Sequence, residues 1–348
     1  MHRIAARLAV FACLLFLGRT TFGDAPAPAH VLDRIAVVGA SASFGFGARV
    51  TVDSEPRPVT GATSFADVVD ATIRRPHQVT GHADLFFFSQ AAKSGPRLMR
   101  QALSDEPTLF VGIDFLFWYG YGHLDRSGRP LRKEADRLAL LEEGLKHLDQ
   151  VECPIIVGDF PDMSPAVGRM LGENQMPKPR TLQALNQRLR EWAAERPRVM
   201  IFPLAEVVKQ MRSGESVAVG ALKWSMTDGT DLIQRDQLHP TAAGLIALSH
   251  LVAEMLVRSQ PDVSEDDFYL EPEAIHAGLE RRVLQKHEQR QRLFAPISEA
   301  DHEMESETEA GARESSSHSR SGSASPGEPA SPSESTEHES VFASGRSR

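Results

Sequence analysis

Ile35-Ala36-Val37-Val38-Gly39-Ala40-Ser41-Ala42-Ser43-Phe44-Gly45-Phe46-Gly47 opens on four apolar residues and then runs into small ones. A short apolar run bounded by a turn signal reads as a buried strand. Continuous rather than alternating apolarity belongs to strands covered on both faces. Gly39, Ala40 and Ala42 let the chain bend sharply, which presents Ser41 at the start of a helical turn. N–H groups at such a start point outward and favour negative charge. The stretch also reads as a phosphate loop or a plain turn. However, Gly39, Gly45 and Gly47 lack the spacing of a dinucleotide fingerprint, and no Lys-Ser/Thr pair follows. Ser43 is a rival nucleophile, set two residues further on and directed elsewhere.

Outward from this strand, apolar runs at 84–88, 108–113, 154–157 and 199–202 predict four more. Helical patterns fall between them: 65–74 behind the capping residue Ser64, then 134–148, then 181–194. A last helix starts near Pro240 and carries Leu245, Leu248, Leu251, Val252 and Met255. Strand and helix in alternation predict a three-layer α/β domain over 31–258, with a five-stranded parallel sheet. Ligands of such sheets bind outside the carboxyl ends of the strands. Ser41, Gly95, Gly112 and Asp114 all fall at those ends in this reading.

Far along the chain stands Arg235-Asp236-Gln237-Leu238-His239-Pro240. A hydrolytic serine needs a base and a group that orients the base. Asp236 and His239 share one loop and supply both, with Ser41 as the nucleophile. Taken alone, the pair also reads as a helix cap and a surface histidine.

The first stretch resembles the opening block of the SGNH/GDSL hydrolases, a Gly-Asp-Ser turn followed by a spaced glycine. Asp236-Gln237-Leu238-His239-Pro240 is similar to their last block, with its Asp-x-x-His pair. The resemblance covers roughly 33–257 and implies a flavodoxin-like α/β/α sandwich. It also implies an ester or thioester hydrolase acting through an acyl-serine. Ser41 is then the nucleophile, His239 the base and Asp236 its orienter. The oxyanion donors are the Ser41 N–H, the Gly95 N–H in Ser94-Gly95, and the third-block residue, here Asp114.

Two departures stand out. Ala40 replaces the first-block aspartate, which weakens support of the turn. Asp114 replaces an asparagine, and an ionised carboxylate only accepts hydrogen bonds. Three readings of Asp114 stay open: it is protonated, it turns away to bind backbone, or the site has changed function. On the resemblance, Asp114→Asn keeps or raises esterase activity. The alternatives to a hydrolase are an acyltransferase and a non-catalytic binding module on the same fold. The aromatic run Phe115-Leu116-Phe117-Trp118-Tyr119 reads either as a wall for substrate or as core, and Gly120, Gly122 and Gly128 as a mobile loop after it.

The ends of the chain read differently. Arg3 and Arg7 followed by the apolar run 8–17 predict a signal peptide over 1–23, and so a secreted or periplasmic protein. The run is shorter than the roughly 20 residues that span a bilayer, so no stable membrane insertion is expected after cleavage. Residues 261–295 predict a helical extension, with Ile275, Leu279, Val283 and Leu284 as a narrow apolar stripe. Residues 296–348 are rich in Ser, Glu, Pro and Gly and predict disorder.

Composition narrows the partners. The 348 residues are 41% hydrophobic, enough to fill a core, and the net charge of −9 lacks the basic footprint of a nucleic-acid binder. Of two cysteines, Cys13 falls in the leader, so Cys153 alone remains and reads as a buried structural thiol. No metal or cofactor is expected. The expected partner is a small-molecule or polysaccharide ester, and oligomeric state is left open.

Overall fold

The apolar run at 35–38 lies next to the sheet's edge strand, and the chain order around it decides where a site forms. A computed structural model describes residues 29–293, apart from 126, 132, 215 and 225–229. The leader read at 1–23 and the tail read at 296–348 lie outside the described residues.

In chain order, β1 (Arg34–Gly39) leads into the single turn α1 (Ser41–Phe44) and the hairpin β2 (Arg49–Val52) and β3 (Val59–Ala62). Then come α2 (Phe65–Thr72), β4 (Gln78–Ala83), α3 (Ala91–Ser104), β5 (Leu109–Gly112) and the short α4 (Phe117–Tyr121). Next are α5 (Ala135–Leu148), β6 (Ile155–Gly158), α6 (Pro179–Ala194), β7 (Val199–Phe202) and α7 (Leu204–Ser213). A small hairpin, β8 (Val217–Val219) and β9 (Leu222–Trp224), precedes α8 (Ala242–Ser259) and α9 (Pro272–Leu293).

The main sheet has the order β4-β1-β5-β6-β7. All of its pairings are parallel. Counting only its strands, the spatial order is 2-1-3-4-5, the flavodoxin-like arrangement. Helices α3, α5 and α6 pack in one group, and α2 with α8 in another, giving the three-layer α/β sandwich. The order reverses between β1 and β5. Their carboxyl ends therefore part to leave a crevice where a parallel sheet binds its ligand. Ser41 follows β1 and Asp114 follows β5 at this place.

Four of the five strands stand where the apolar runs put them. The second does not: β4 is Gln78–Ala83, and the expected strand at 84–88 is a turn that includes the 3-10 segment Phe87–Ser89. β4 is an edge strand with a single neighbour, so it carries polar residues such as Gln78, Thr80 and His82. The phenylalanines that imitated a strand instead divide, with Phe87 in the core and Phe86 and Phe88 exposed. Gly120 is not in a mobile loop either. It lies inside α4, facing Phe160 at a distance that leaves no room for a side chain.

Ser64 caps α2 in a full capping box with Asp67. Helix α9 lays Ile275, Leu279 and Val283 into the core. It packs on α2 and on the β2–β3 hairpin. Arg282 and Lys286 of the same helix pair with Asp67 and Asp70 of α2. Helix α8 is long and apolar enough to cross a membrane by length and composition, but Leu245, Leu248, Leu251 and Val252 along it belong to the core.

Candidate active site

Ser41 is the first residue of α1, directly beyond β1 and Ala40. Its Oγ lies 2.9 Å from His239 Nε2. The other ring nitrogen, Nδ1, lies 2.7 Å from Asp236 Oδ2. A carboxylate accepts, so Nδ1 carries the proton and Nε2 presents its lone pair to the serine hydroxyl. Asp236 Oδ1 also accepts the N–H groups of Leu238, at 2.9 Å, and His239, at 3.0 Å. Burial pushes the Asp236 carboxyl upward, but these N–H groups and the imidazole outweigh it and hold the group below the usual aspartate range. His239 is buried, with the Phe46 ring packed against it.

The loop that carries Asp236 and His239 is held from several sides. Gln237 takes a left-handed conformation at φ 61°, and Arg212 Nη2 donates to its carbonyl at 2.7 Å. Arg169 Nη1 donates to the Arg235 carbonyl. Gln234 does more: its amide donates to the carbonyls of Phe46, at 2.7 Å, and Pro240, at 2.8 Å. Its backbone N–H donates to the His239 carbonyl. One side chain thus ties the loop after Ser41 to the loop of the base. Thr241, not Asp236, caps α8. Nothing in the residue types of Gln234 or Arg212 marks them in the sequence. Their roles exist only once distant carbonyls are brought together.

Asp114 turns away from Ser41. Its Oδ2 accepts the N–H groups of Ala42 and Ser43, each at 3.1 Å, and its Oδ1 accepts the Ser43 hydroxyl. Of the three readings of this residue, the geometry is that of a carboxyl bound to backbone. Burial pushes its pKa up, while the bonds from Ser43, Ala40 and Ala42 oppose that rise. The outward N–H groups expected at the start of α1 are therefore occupied at Ala42 and Ser43. Gly39 makes this possible, since a Cβ there would stand 1.9 Å from Asp114 Oδ1. Ser43, the rival nucleophile, is buried and committed to Asp114.

The structure brings together Ser41, Asp236, His239 and Asp114, but not Gly95. Gly95 is the fifth residue of α3, past the N–H groups a helix leaves free at its start. It is buried against Tyr119, whose Oη would meet a Cβ at 1.8 Å. Its neighbour Ser94 donates to Asp84 at 2.8 Å. The glycine answers to close packing, which a sequence motif reads identically. The turn after β4 shares a groove with the serine through Leu85, Phe86 and Phe88.

Two spaces meet at Ser41 and His239. One is a narrow pocket, about 50 Å³, lined by buried side chains that include Ile113, Trp118, Met163 and Val208. The other is a surface groove with exposed Phe86, Phe88 and Met170 on its rim. The aromatic run after Asp114 divides between the core and the lining of the pocket. Phe115 and Tyr119 are wholly buried in the core, while Phe117 and Trp118 line the pocket. Among the described residues, no group of three or more His, Cys, Asp or Glu is arranged to hold a metal ion. Cys153, half-buried at the start of β6, has its thiol pushed up to about 11 by burial.

No family model matches the chain, and no curated protein matches it. Among solved structures, it is similar to BT4096, a gut microbial diltiazem-metabolizing enzyme. The identity is 13% and the TM-score 0.39, over 64% of this chain and 46% of that one. The chain thus spans about half the length of that enzyme. It is also similar to the psychrotrophic esterase EstA from Pseudoalteromonas sp., at 12% identity and TM-score 0.38, covering 65% of this chain and 97% of that one. AlinE4, an SGNH-hydrolase family esterase, matches at 17% identity and TM-score 0.32, over 66% of this chain and 97% of its own. Likeness at these TM-scores is too distant to carry chemistry, which the residues of the chain itself must supply.

Proposed function

We propose that the chain is a serine ester hydrolase of the SGNH/GDSL type. The observation that carries this reading is the continuous contact from Ser41 Oγ through His239 to Asp236, at 2.9 and 2.7 Å. Ser41 Oγ attacks the ester carbonyl as His239 Nε2 takes its proton, and Asp236 stabilises the imidazolium that forms. The Ser41 N–H, which has no intrahelical acceptor by its position at the start of α1, faces the developing oxyanion. Collapse of the tetrahedral intermediate expels the alcohol, which receives the proton from His239. Water then enters, loses a proton to His239 and attacks the acyl carbon, and the acid leaves as Ser41 Oγ takes that proton back from His239. An acyltransferase would use the same acyl-serine and replace water by a second alcohol. The leader read at 1–23 makes the enzyme exported, to the periplasm or beyond.

A second reading, a binding module without turnover, is favoured by Ala40 and by the commitment of Asp114 to Ala42 and Ser43. An alkyl fluorophosphonate separates the two. The hydrolase reading expects covalent labelling of the wild type and none of Ser41→Ala. An unlabelled, folded wild type rejects it.

A further inference from the structure

We infer that a second cavity, bordered by Ser43 and Phe44 of α1 rather than by Ser41 and His239, binds a small hydroxylated anion: an acidic sugar carrying a carboxylate or a phosphate. This goes beyond the serine-hydrolase reading and does not depend on it.

The cavity holds about 530 Å³ among the end of α1, β3, the start of α2 and one face of α9. That falls in the usual range for a small-molecule site, roughly 300–1,000 Å³. On α9, Val283, Lys286, His287 and Arg290 recur at helical spacing, so they share the face that lines it. Val283 sits so close to β3 that a Cβ at Gly61 would stand 2.8 Å from it. The helix is therefore seated on the hairpin, and its basic groups are carried over the cavity by a packed element.

The charge left over is positive. Asp67 is the carboxylate on the lining, and its oxygens are already taken. It accepts from the Ser64 N–H at 3.0 Å, from Lys286 at 2.9 Å and from Arg282 at 3.0 Å. Burial pushes its pKa up, but the bonds from Ser64 and Lys286 outweigh this and hold it below the usual aspartate range. Arg290 has no acidic partner among the described residues. Its guanidinium offers N–H donors in a planar fork that suits a carboxylate or a phosphate.

The opposite wall also lacks an acceptor. Thr63 lines the cavity, is only 3% exposed, and its hydroxyl has no hydrogen-bond partner. An unpaired buried hydroxyl is costly, and a ligand oxygen supplies what it lacks. Ala66, the second residue of α2, adds an N–H without an intrahelical acceptor, at the helix end that favours negative charge. A bare anion would fill little of this volume. The hydroxyl of Thr60 and the exposed ring of Phe44 on the same lining suit the hydroxyls and the C–H face of a sugar ring.

The test is calorimetric titration of the full chain with glucuronate, glucose 6-phosphate, glucose and inorganic phosphate, at low ionic strength where charge pairing is least screened. At least one of the two acidic sugars should bind, and the tighter of them says which anion the site prefers. Arg290→Ala should raise its Kd by about tenfold or more, the factor for losing one hydrogen bond to a charged group. Arg292→Ala is the control, since Arg292 pairs with Glu288 and lies off the lining, and its Kd should match the wild type. Thr63→Val replaces the unpaired hydroxyl by a methyl group. It should weaken binding while the melting temperature of the free chain holds or rises, which a merely structural threonine would not do. Absence of binding by both acidic sugars, equal binding of glucose, or phosphate binding as tightly as glucose 6-phosphate overturns the inference. So does a Kd unmoved in Arg290→Ala or Thr63→Val, or raised equally in Arg292→Ala. Fluorophosphonate labelling of Ser41 is read separately in each variant, so these failures leave the hydrolase reading untouched.

Discussion

The carboxyl of Asp114 closes on the hydroxyl of Ser43, across the crevice between the ends of β5 and β1. The same carboxyl takes the N–H groups of Ala42 and Ser43. Several donors therefore converge on a residue that the family pattern would make a donor itself. Ala40 offers no side chain to support the turn, and α1 has no side-chain cap of its own. Asp114 supplies that support from another strand.

This reverses the expected sign for Asp114→Asn. An amide presents one accepting oxygen and an NH₂ group. The NH₂ group would then stand where Oδ1 now accepts the Ser43 hydroxyl, which can only turn to accept from it and so loses the acceptor for its own proton in a buried place. Such a mismatch typically costs about 1–3 kcal/mol, or roughly 2–12 °C in melting temperature for a domain of this size. Turnover should fall as the Ser41 turn loosens. A thermal melt and a steady-state assay decide it. An unchanged melt with equal or higher kcat would restore the simpler expectation from the resemblance.

Asp236→Asn should leave the fold in place and remove most catalysis. The amide oxygen can still accept from the N–H groups of Leu238 and His239, which Asp236 Oδ1 now serves. The NH₂ group then faces Nδ1 and drives the ring proton to Nε2, away from its task at Ser41. A base held in the wrong tautomer costs on the order of 10⁴-fold in kcat. The stability consequence has a definite pH window. The folded carboxyl lies below its ordinary value of 3.8, so its contribution is complete above that value and is lost as pH falls through the depressed one. The difference in melting temperature between wild type and variant should hold from pH 8 to about pH 4 and close only below. A gap that closes near neutrality would assign the effect to another group.

The fold was legible where burial on both faces forces continuous apolar runs, as in β1, β5, β6 and β7. It was not legible at β4, because an edge strand with one neighbour needs no such run, while Phe86 and Phe88 are apolar yet exposed on the rim of the groove. The hairpins β2–β3 and β8–β9 were too short to announce themselves. At the candidate site, Ser41, Asp236 and His239 could be found because their chemistry restricts the residue types. Gly95 misled because close packing on Tyr119 and close approach to a ligand demand the same residue. The direction in which Asp114 points could not be read, since its partners come from a segment 71 residues away.

Helix α9 should be held mainly by its apolar stripe. Leu279 is 1% exposed, and truncation of a buried leucine to alanine costs about 2–5 kcal/mol. The Arg282 pairs with Asp67 and Asp70 are partly exposed, and such pairs contribute about 0–1 kcal/mol. In limited proteolysis, Leu279→Ala should release α9 readily and Arg282→Ala only slightly, with Ser41 labelling retained in the latter. Equal protease sensitivity of the two would shift the weight to the charges.

Gln234 is the sharpest case of a positioning residue. Its amide bridges the Phe46 carbonyl, five residues beyond Ser41, and the Pro240 carbonyl, next to His239. It touches no reacting atom, so its removal should spare binding and harm the step in which Ser41 and His239 must meet. A displacement of about 1 Å between reacting groups can cost on the order of 10²-fold in rate. Gln234→Ala is expected to lower kcat by about 10–100-fold with KM little changed. Gln234→Glu should be no better, because a carboxylate facing two carbonyl oxygens lacks the donor that makes the bridge. A fall in stability alone would move the melting temperature without this split. If kcat stays at the wild-type level in Gln234→Ala, the two loops find their register without the bridge, and the alignment of nucleophile and base must come from Arg212 and Arg169, which hold the carbonyls of Gln237 and Arg235.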